Sequence, residues 1–437
     1  MRRKKVQINN YFKYLSLSSI VAIVFIFFTL RGSTSDRAMY LSLGVLVVWI
    51  FIAFFSQPTV FLNSITTKPM ILFYSFLLFY LVTAIFSAGP LYTAKLIGTS
   101  LIIFSPILLF EFYRRISLER LKAIVVISLF FGTYLIFKAL IFYSTYDNAA
   151  RRLASNELAY GDVAIGGGYA MAYAVTILSI YLFDLILNKK IESPKLKLII
   201  LISLLISTFF VIETKSTLTI VWLLVGYSIS YISKNNYGKK NSKNKKTKIL
   251  FYMKILSSIF IVIFLILIRK DIGSLILNVT SDNLDVLSLR IRDIGYALTS
   301  GVGNSGQLAL RLEIPMKSVN AFLTSPIIGR GYEYGYRAVE AYNYIGGHGE
   351  WVDALGKYGL IGSLFYFSIF VVFIRKERRI SREIIPPTYV IVFVLLGLFN
   401  PLINCQSMFA MLFLIPSLSL LLVKNIDNKE NMKKIQK

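Results

Sequence analysis

Apolar residues along this chain run in blocks of about 16–24 residues, each long enough to cross most or all of roughly 30 Å of hydrocarbon as a helix. The blocks fall at about 14–30, 39–56, 70–88, 96–111, 123–143, 164–187, 196–212, 217–232, 252–268, 358–374, 385–403 and 407–423, and they predict about twelve transmembrane helices. Backbone N–H and C=O groups in hydrocarbon are satisfied only within helices or closed barrels, and these runs lack the alternation of barrel strands. The expected fold class is all-α, an integral membrane protein, with 1–437 as a single polytopic domain.

Two polar stretches interrupt the pattern. The segment 233–251 is rich in Lys and Asn and reads as a solvated cytoplasmic loop in contact with anionic lipid. The segment 269–347 is too polar to span yet keeps a helical period. Leu287, Ile291 and Ile294 share one helix face, Leu308, Leu312, Met316 and Val319 share another, and Gly301, Gly303 and Gly306 separate the two. It is expected to be a folded extracytoplasmic loop, because loops this long carry function or are disordered, and this one has too many periodic apolar residues for disorder.

Composition agrees with the pattern: 56% of the 437 residues are hydrophobic, and the mean hydropathy is +0.66. The net charge of +26 would suggest nucleic acid in a soluble protein. With the N-terminus inside, however, about two thirds of the 48 lysines and arginines fall in cytoplasmic segments, as the positive-inside rule requires. The charge is thus a topology signal, both termini are expected in the cytoplasm, and no nucleic-acid partner is implied. Arg2, Arg3, Lys4 and Lys5 precede a run too long for a signal-peptide core, so the first span is expected to remain as an anchor. A single cysteine, Cys405, and a single histidine, His348, exclude an intrachain disulfide and a His/Cys metal cluster. A carboxylate-bound divalent ion is left open by those counts.

Candidate chemistry gathers on the expected outer face, in SPIIGRGYEYGYRAVEAYNYIGGHGEWVDALGKYGLIG, residues 325–362. Pro326, Gly329 and Gly331 break the helix and let backbone approach something closely. Gly346-Gly347 delivers His348 to the start of a predicted helix in which Asp353 and Lys357 form an i,i+4 pair. The helix macrodipole favours a neutral imidazole there, the form a general base requires. A hydrogen-bonded structural histidine is the plainer alternative.

The pattern Ser325-Pro-x-x-Gly-x-Gly, followed by His348-x6-Leu-x3-Gly-x2-Gly entering a span, resembles the O-antigen polymerase and O-antigen ligase superfamily. Arg311 resembles the family arginine of the long periplasmic loop. Thr214-Lys215-Ser216 resembles its Ser/Thr-Arg pair with lysine in place of arginine, and Arg151 and Arg152 lie where relatives often carry a basic residue. Lysine is a point charge, so it keeps the electrostatics of a phosphate site but not the bidentate fork of arginine. A helix-capping role suits Lys215 as well, and a solvated helix face suits Arg290 and Arg292.

The resemblance implies a metal-independent glycosyltransferase without cofactors in a bacterial inner membrane, active on the outer face. Its partners would be a polyprenyl-pyrophosphate-linked oligosaccharide donor and acceptor and the bilayer, with a chain-length regulator as a further candidate. Arg311 and Lys215, joined by Arg290, Arg292, Arg151, Arg152 and Arg330, would cradle the pyrophosphate. His348 would activate the acceptor hydroxyl, assisted by Glu350. Tyr332, with Tyr334, Tyr336, Tyr342 and Tyr344, would supply sugar-stacking faces or an interfacial aromatic belt. The histidine context resembles polymerases more than ligases, which transfer a finished glycan to lipid A-core. A lipid-linked glycan transporter or flippase is the third reading. It is disfavoured because the spans hold few ionisable residues, Lys138 and Asp184 among them, and no inverted repeat is visible.

Overall fold

The computed structural model describes residues 15–31, 36–87, 90–146, 149, 168–188, 191, 194–237, 269–280, 286–300, 307–330, 345, 349–380, 385–400, 402 and 406–419. Helices α1 (Leu17–Arg31), α2 (Asp36–Ser56), α3 (Pro58–Ile65), α4 (Lys68–Ser87), α5 (Pro90–Ile116), α6 (Leu118–Thr145), α7 (Gly168–Asn188), α8 (Pro194–Glu213) and α9 (Thr217–Tyr237) come first. The more polar α10 (Arg269–Thr280), α11 (Val286–Ser300) and α12 (Gln307–Thr324) follow, then α13 (Glu350–Ile380), α14 (Pro387–Phe399) and α15 (Gln406–Leu414). No strand occurs among the described residues.

Among the described residues, five helices are long and apolar enough to cross a membrane: Met39–Ser56, Ile97–Ile116, Leu118–Thr145, Pro194–Glu213 and Glu350–Arg379. A sixth is added if Pro58–Ile65 and Lys68–Thr83, bent by 64°, form one span. Shorter apolar helices cover Leu17–Leu30, Met171–Leu187, Leu218–Ile232 and Pro387–Phe399. The chain is an all-helical, multi-pass membrane protein. The expected span at 252–268 lies outside the described residues, as does the end of the one at 407–423.

Helix α5 is the hub, packed by α1, α2, α3, α4, α6 and α15. Helices at the rim bury one side only: α2 leaves Val47, Val48, Phe51 and Phe55 exposed, which suits hydrocarbon where it would not suit water. Side-chain contacts tie neighbouring helices to one another. Trp49 donates to the Tyr113 hydroxyl at 2.9 Å, Tyr143 stacks on Phe210, and Phe183 stacks on Tyr227. At the basic ends of α5 and α13, Arg114 bridges Glu377 at 2.9 Å and Glu111 at 2.8 Å, and Lys376 reaches Glu111 at 2.6 Å. Glu111, Arg114 and Glu377 are all buried. Each such charge is tolerated in the bundle only because the others compensate it.

Helix α13 is broken within its length. At Gly359 its backbone turns to φ 60°, ψ −165°, which is not helical. Residues 16 apart in a continuous helix lie about 24 Å apart, yet the Tyr366 hydroxyl donates to Glu350 Oε1 at 2.7 Å. Likewise Ser363 Oγ donates to the Ala354 carbonyl at 2.9 Å. Helix α13 is therefore a hairpin with its apex at Gly359: a first arm, residues 350–358, folds back along a second, residues 360–380.

Breaking a helix strands backbone groups, and here the turn after α12 takes them up. Leu360 and Ile361 donate to the carbonyls of Pro326 and Ile327 at 2.8 and 3.1 Å, while the Gly356 carbonyl accepts from Arg330 N–H at 3.0 Å. Gly329, at φ 74°, meets Gly359 backbone to backbone. The turn closes on itself through Ser325 Oγ donating to the Gly329 carbonyl at 2.7 Å. Leu323, Ile327, Ile328, Leu360 and Leu364 stand exposed around it.

A methyl group at Gly329 would strike the Lys357 carbonyl and the Gly359 nitrogen, and one at Gly359 would strike the Gly329 nitrogen and the Ile327 carbonyl. Gly329→Ala and Gly359→Ala are each expected to destabilise by roughly 2–5 kcal/mol, from left-handed strain plus overpacking. Gly44, inside α2, has nothing within 4 Å of a built methyl, and Gly44→Ala should be neutral or slightly stabilising. Thermal unfolding of the three purified variants checks the ranking.

Candidate functional site

The first arm of α13 enters the bundle through a set of specific bonds. Its first helical bond runs from Asp353 N–H to the Gly349 carbonyl at 2.7 Å. Gly349 N–H, which has no partner inside the helix, donates to Asp353 Oδ2 at 3.2 Å. The other carboxylate oxygen of Asp353 accepts from Ser318 Oγ of α12 at 2.5 Å. Glu350 N–H donates to the Asn400 carbonyl at the end of α14 at 3.1 Å, and the Glu350 side chain accepts from Tyr366. Trp351 Nε1 donates to the Val394 carbonyl at 2.7 Å and its indole lies where a side chain at Gly397 would be.

Two buried carboxylates thus stand in the first turn of a helix: Glu350 is 4% exposed and Asp353 2%. The positive end of the helix dipole favours them there, and the named donors replace the water they lose. The arrangement holds the residue that follows His348 against three elements: α12, the end of α14 and the second arm of α13.

A second feature is the turn between α8 and α9. Lys215 occupies the left-handed region, φ 50°, the only non-glycine residue to do so among those described. It follows Thr214, whose hydroxyl donates to the Val211 carbonyl at 2.7 Å, and it precedes Ser216, whose carbonyl accepts from Ile220 N–H at 3.1 Å as α9 begins. Glycine is the usual residue in this helix-ending conformation. A lysine there bears a strain cost that a glycine would remove. About 10 Å along α9 from Lys215, Trp222 stacks on Phe399, the neighbour of Asn400.

The remaining expected residues divide into three groups. His348, Arg151, Arg152 and Tyr332 lie outside the described residues, as do Tyr334, Tyr336, Tyr342 and Tyr344. Arg311 lies in α12, and Arg290 and Arg292 in α11, with Arg292 half-buried. Arg330 sits at the glycine crossing, where Nε donates to Thr324 Oγ1 at 2.7 Å. The structure brings Glu350 together with Asp353, Tyr366 and Asn400, while the Lys215 turn stands apart from them in the chain, between α8 and α9.

The sequence did not single out Ser318, Tyr366 or Asn400, and gave Asp353 only an i,i+4 pairing with Lys357. An acidic residue in the first turn after Gly-Gly-His-Gly is a signal for Asp353. Nothing in the sequence marks Ser318 among many serines. Among the described residues no group of three or more His, Cys, Asp or Glu is placed to hold a metal ion. Comparison of the chain with models of known families and with curated proteins returns no match.

Lys215→Gly should be more stable than Lys215→Ala by about 1 kcal/mol, because only glycine escapes the steric cost of the left-handed turn. Equal unfolding midpoints for the two variants would contradict it.

Proposed function

We propose that the chain is a membrane glycosyltransferase that polymerises polyprenyl-pyrophosphate-linked oligosaccharide repeats on the outer face of a bacterial cytoplasmic membrane. The observation that carries the reading is the meeting of the two motif halves from which the family resemblance was drawn. Ser325-Pro-x-x-Gly329 and the Gly-x-x-Gly that follows His348 are separated in sequence but joined at the Gly329–Gly359 crossing. A motif whose halves interlock is better support than either half alone.

In the proposed reaction the acceptor hydroxyl loses its proton to His348 and its oxygen forms a bond to the donor's anomeric carbon. The bond from that carbon to the pyrophosphate oxygen breaks, and the negative charge left there is met by Arg311 and Lys215. Arg290, Arg292, Arg151, Arg152 and Arg330 are the further cations available to the same group. Glu350 is held by Tyr366, two residues after His348, and supplies a fixed carboxylate at the entrance of the arm. In this reading helices α10–α12 belong to the extracytoplasmic part of the site.

A strain lacking the gene should carry single repeat units in place of a glycan ladder. Restoring it with His348→Ala or Arg311→Ala, at membrane levels equal to wild type, should leave that phenotype unchanged. Wild-type ladders from both variants would sink the mechanism, and polymerised but unattached glycan in the deletion strain would indicate a ligase.

A further inference from the structure

We propose that Ser318 and Asp353 are a positioning pair that fixes Gly349, the residue that follows His348 in sequence, relative to the helix carrying Arg311, an assignment that rests on the glycosyltransferase reading above. Asp353 spends one carboxylate oxygen on each side of the joint. Oδ1 accepts from Ser318 Oγ of α12 at 2.5 Å, and Oδ2 accepts from the N–H of Gly349, the residue after His348, at 3.2 Å. Ser318 is fully buried and Asp353 is 2% exposed. Water therefore does not replace either bond when one is lost.

The two helices are pressed together at this point. A methyl group built on Gly356, one turn beyond Asp353, would lie 2.9 Å from the Ser318 carbonyl oxygen. Little sliding is available to absorb the loss of a bond. Along α12, Ser318 stands two turns, about 10 Å, beyond Arg311. Along the arm, Asp353 stands one turn beyond Gly349. The joint is thus short on both sides, and it links the helix that bears the proposed pyrophosphate-binding cation to the residue next to the proposed base.

The base acts on the attacking hydroxyl and the cation on the departing pyrophosphate of one transfer step, so their spacing governs turnover more than substrate binding. Displacements near 1 Å can cost about a hundredfold in rate. Ser318→Ala removes one donor. Asp353→Asn keeps the shape while replacing an acceptor oxygen by an amide nitrogen, and is the gentler variant should Ser318→Ala reduce folding.

The test uses the full chain in proteoliposomes with the lipid-linked oligosaccharide that accumulates in the deletion strain. Turnover, KM and unfolding midpoint are measured for Ser318→Ala, Asp353→Asn, the double variant and His348→Ala. The expected result is a kcat lowered about tenfold to a hundredfold in each single variant. KM should stay within twofold and the midpoint within a few degrees, and the double variant should be no worse than the poorer single one. Wild-type kcat in folded Ser318→Ala and Asp353→Asn beside an inactive His348→Ala overturns the positioning pair and leaves the functional reading intact. A loss expressed in KM, a loss explained by unfolding, or multiplicative effects in the double variant also overturn it. Wild-type turnover by His348→Ala instead overturns the functional reading on which the pair depends.

Discussion

A helix broken inside an apolar bundle must find partners for the backbone groups it releases, and α13 finds them in the turn that follows α12. The crossing of Gly329 over Gly359 makes this possible, because only residues without side chains let the two backbones exchange bonds at that distance. The amides of Leu360 and Ile361 and the carbonyl of Gly356 are all met by the segment from Pro326 to Arg330. Hydrocarbon offers no substitute, so the break persists only where another part of the chain covers it. The hairpin, the buried first arm and the position of everything on that arm follow from this one contact.

The hairpin also explains why two carboxylates sit in the bundle. Folding the first arm beside the second sets Glu350 level with Tyr366 and Asp353 against Ser318, so each acidic group enters already supplied with a donor. Phe76, Tyr358 and Phe370 pack on Tyr366 and hold that donor in place. The two carboxylates are admitted because neighbouring helices supply their donors. The same rule governs the opposite end of α13, where Glu377 is admitted by Arg114.

Several features were legible from hydrophobic pattern alone. The all-helical membrane class follows from run length, and the separate helices α11 and α12 follow from the period of Leu287, Ile291 and Ile294 and of Leu308, Leu312, Met316 and Val319. The expected close backbone approach at Gly329 is realised, with Lys357–Gly359 as its partner. Other features were not legible. Glu111, Arg114 and Glu377 lie at or past the ends of apolar runs, where a charge reads as solvated, yet longer helices carry them into the interior. Helix α3 was hidden in an expected loop because eight residues are too few to show a clear period. The fold-back of α13 was invisible because a single glycine at an apex looks no different in sequence from one tolerated inside a helix. At the candidate site, the partners of Glu350 and Asp353 come from distant helices that no local pattern connects.

The hairpin is tested most directly by a cysteine pair at Ala354 and Ser363, introduced after the single native cysteine is removed by Cys405→Ser. In a continuous helix these positions are about 13.5 Å apart, too far for a disulfide. In the hairpin the Ser363 side chain reaches the Ala354 carbonyl. Mild oxidation of membranes carrying Ala354→Cys with Ser363→Cys, followed by alkylation and mass spectrometry, should show both thiols protected by one intramolecular disulfide. Two freely alkylated thiols under conditions that oxidise a known neighbouring pair would contradict the fold-back, and with it the account of how the site is built.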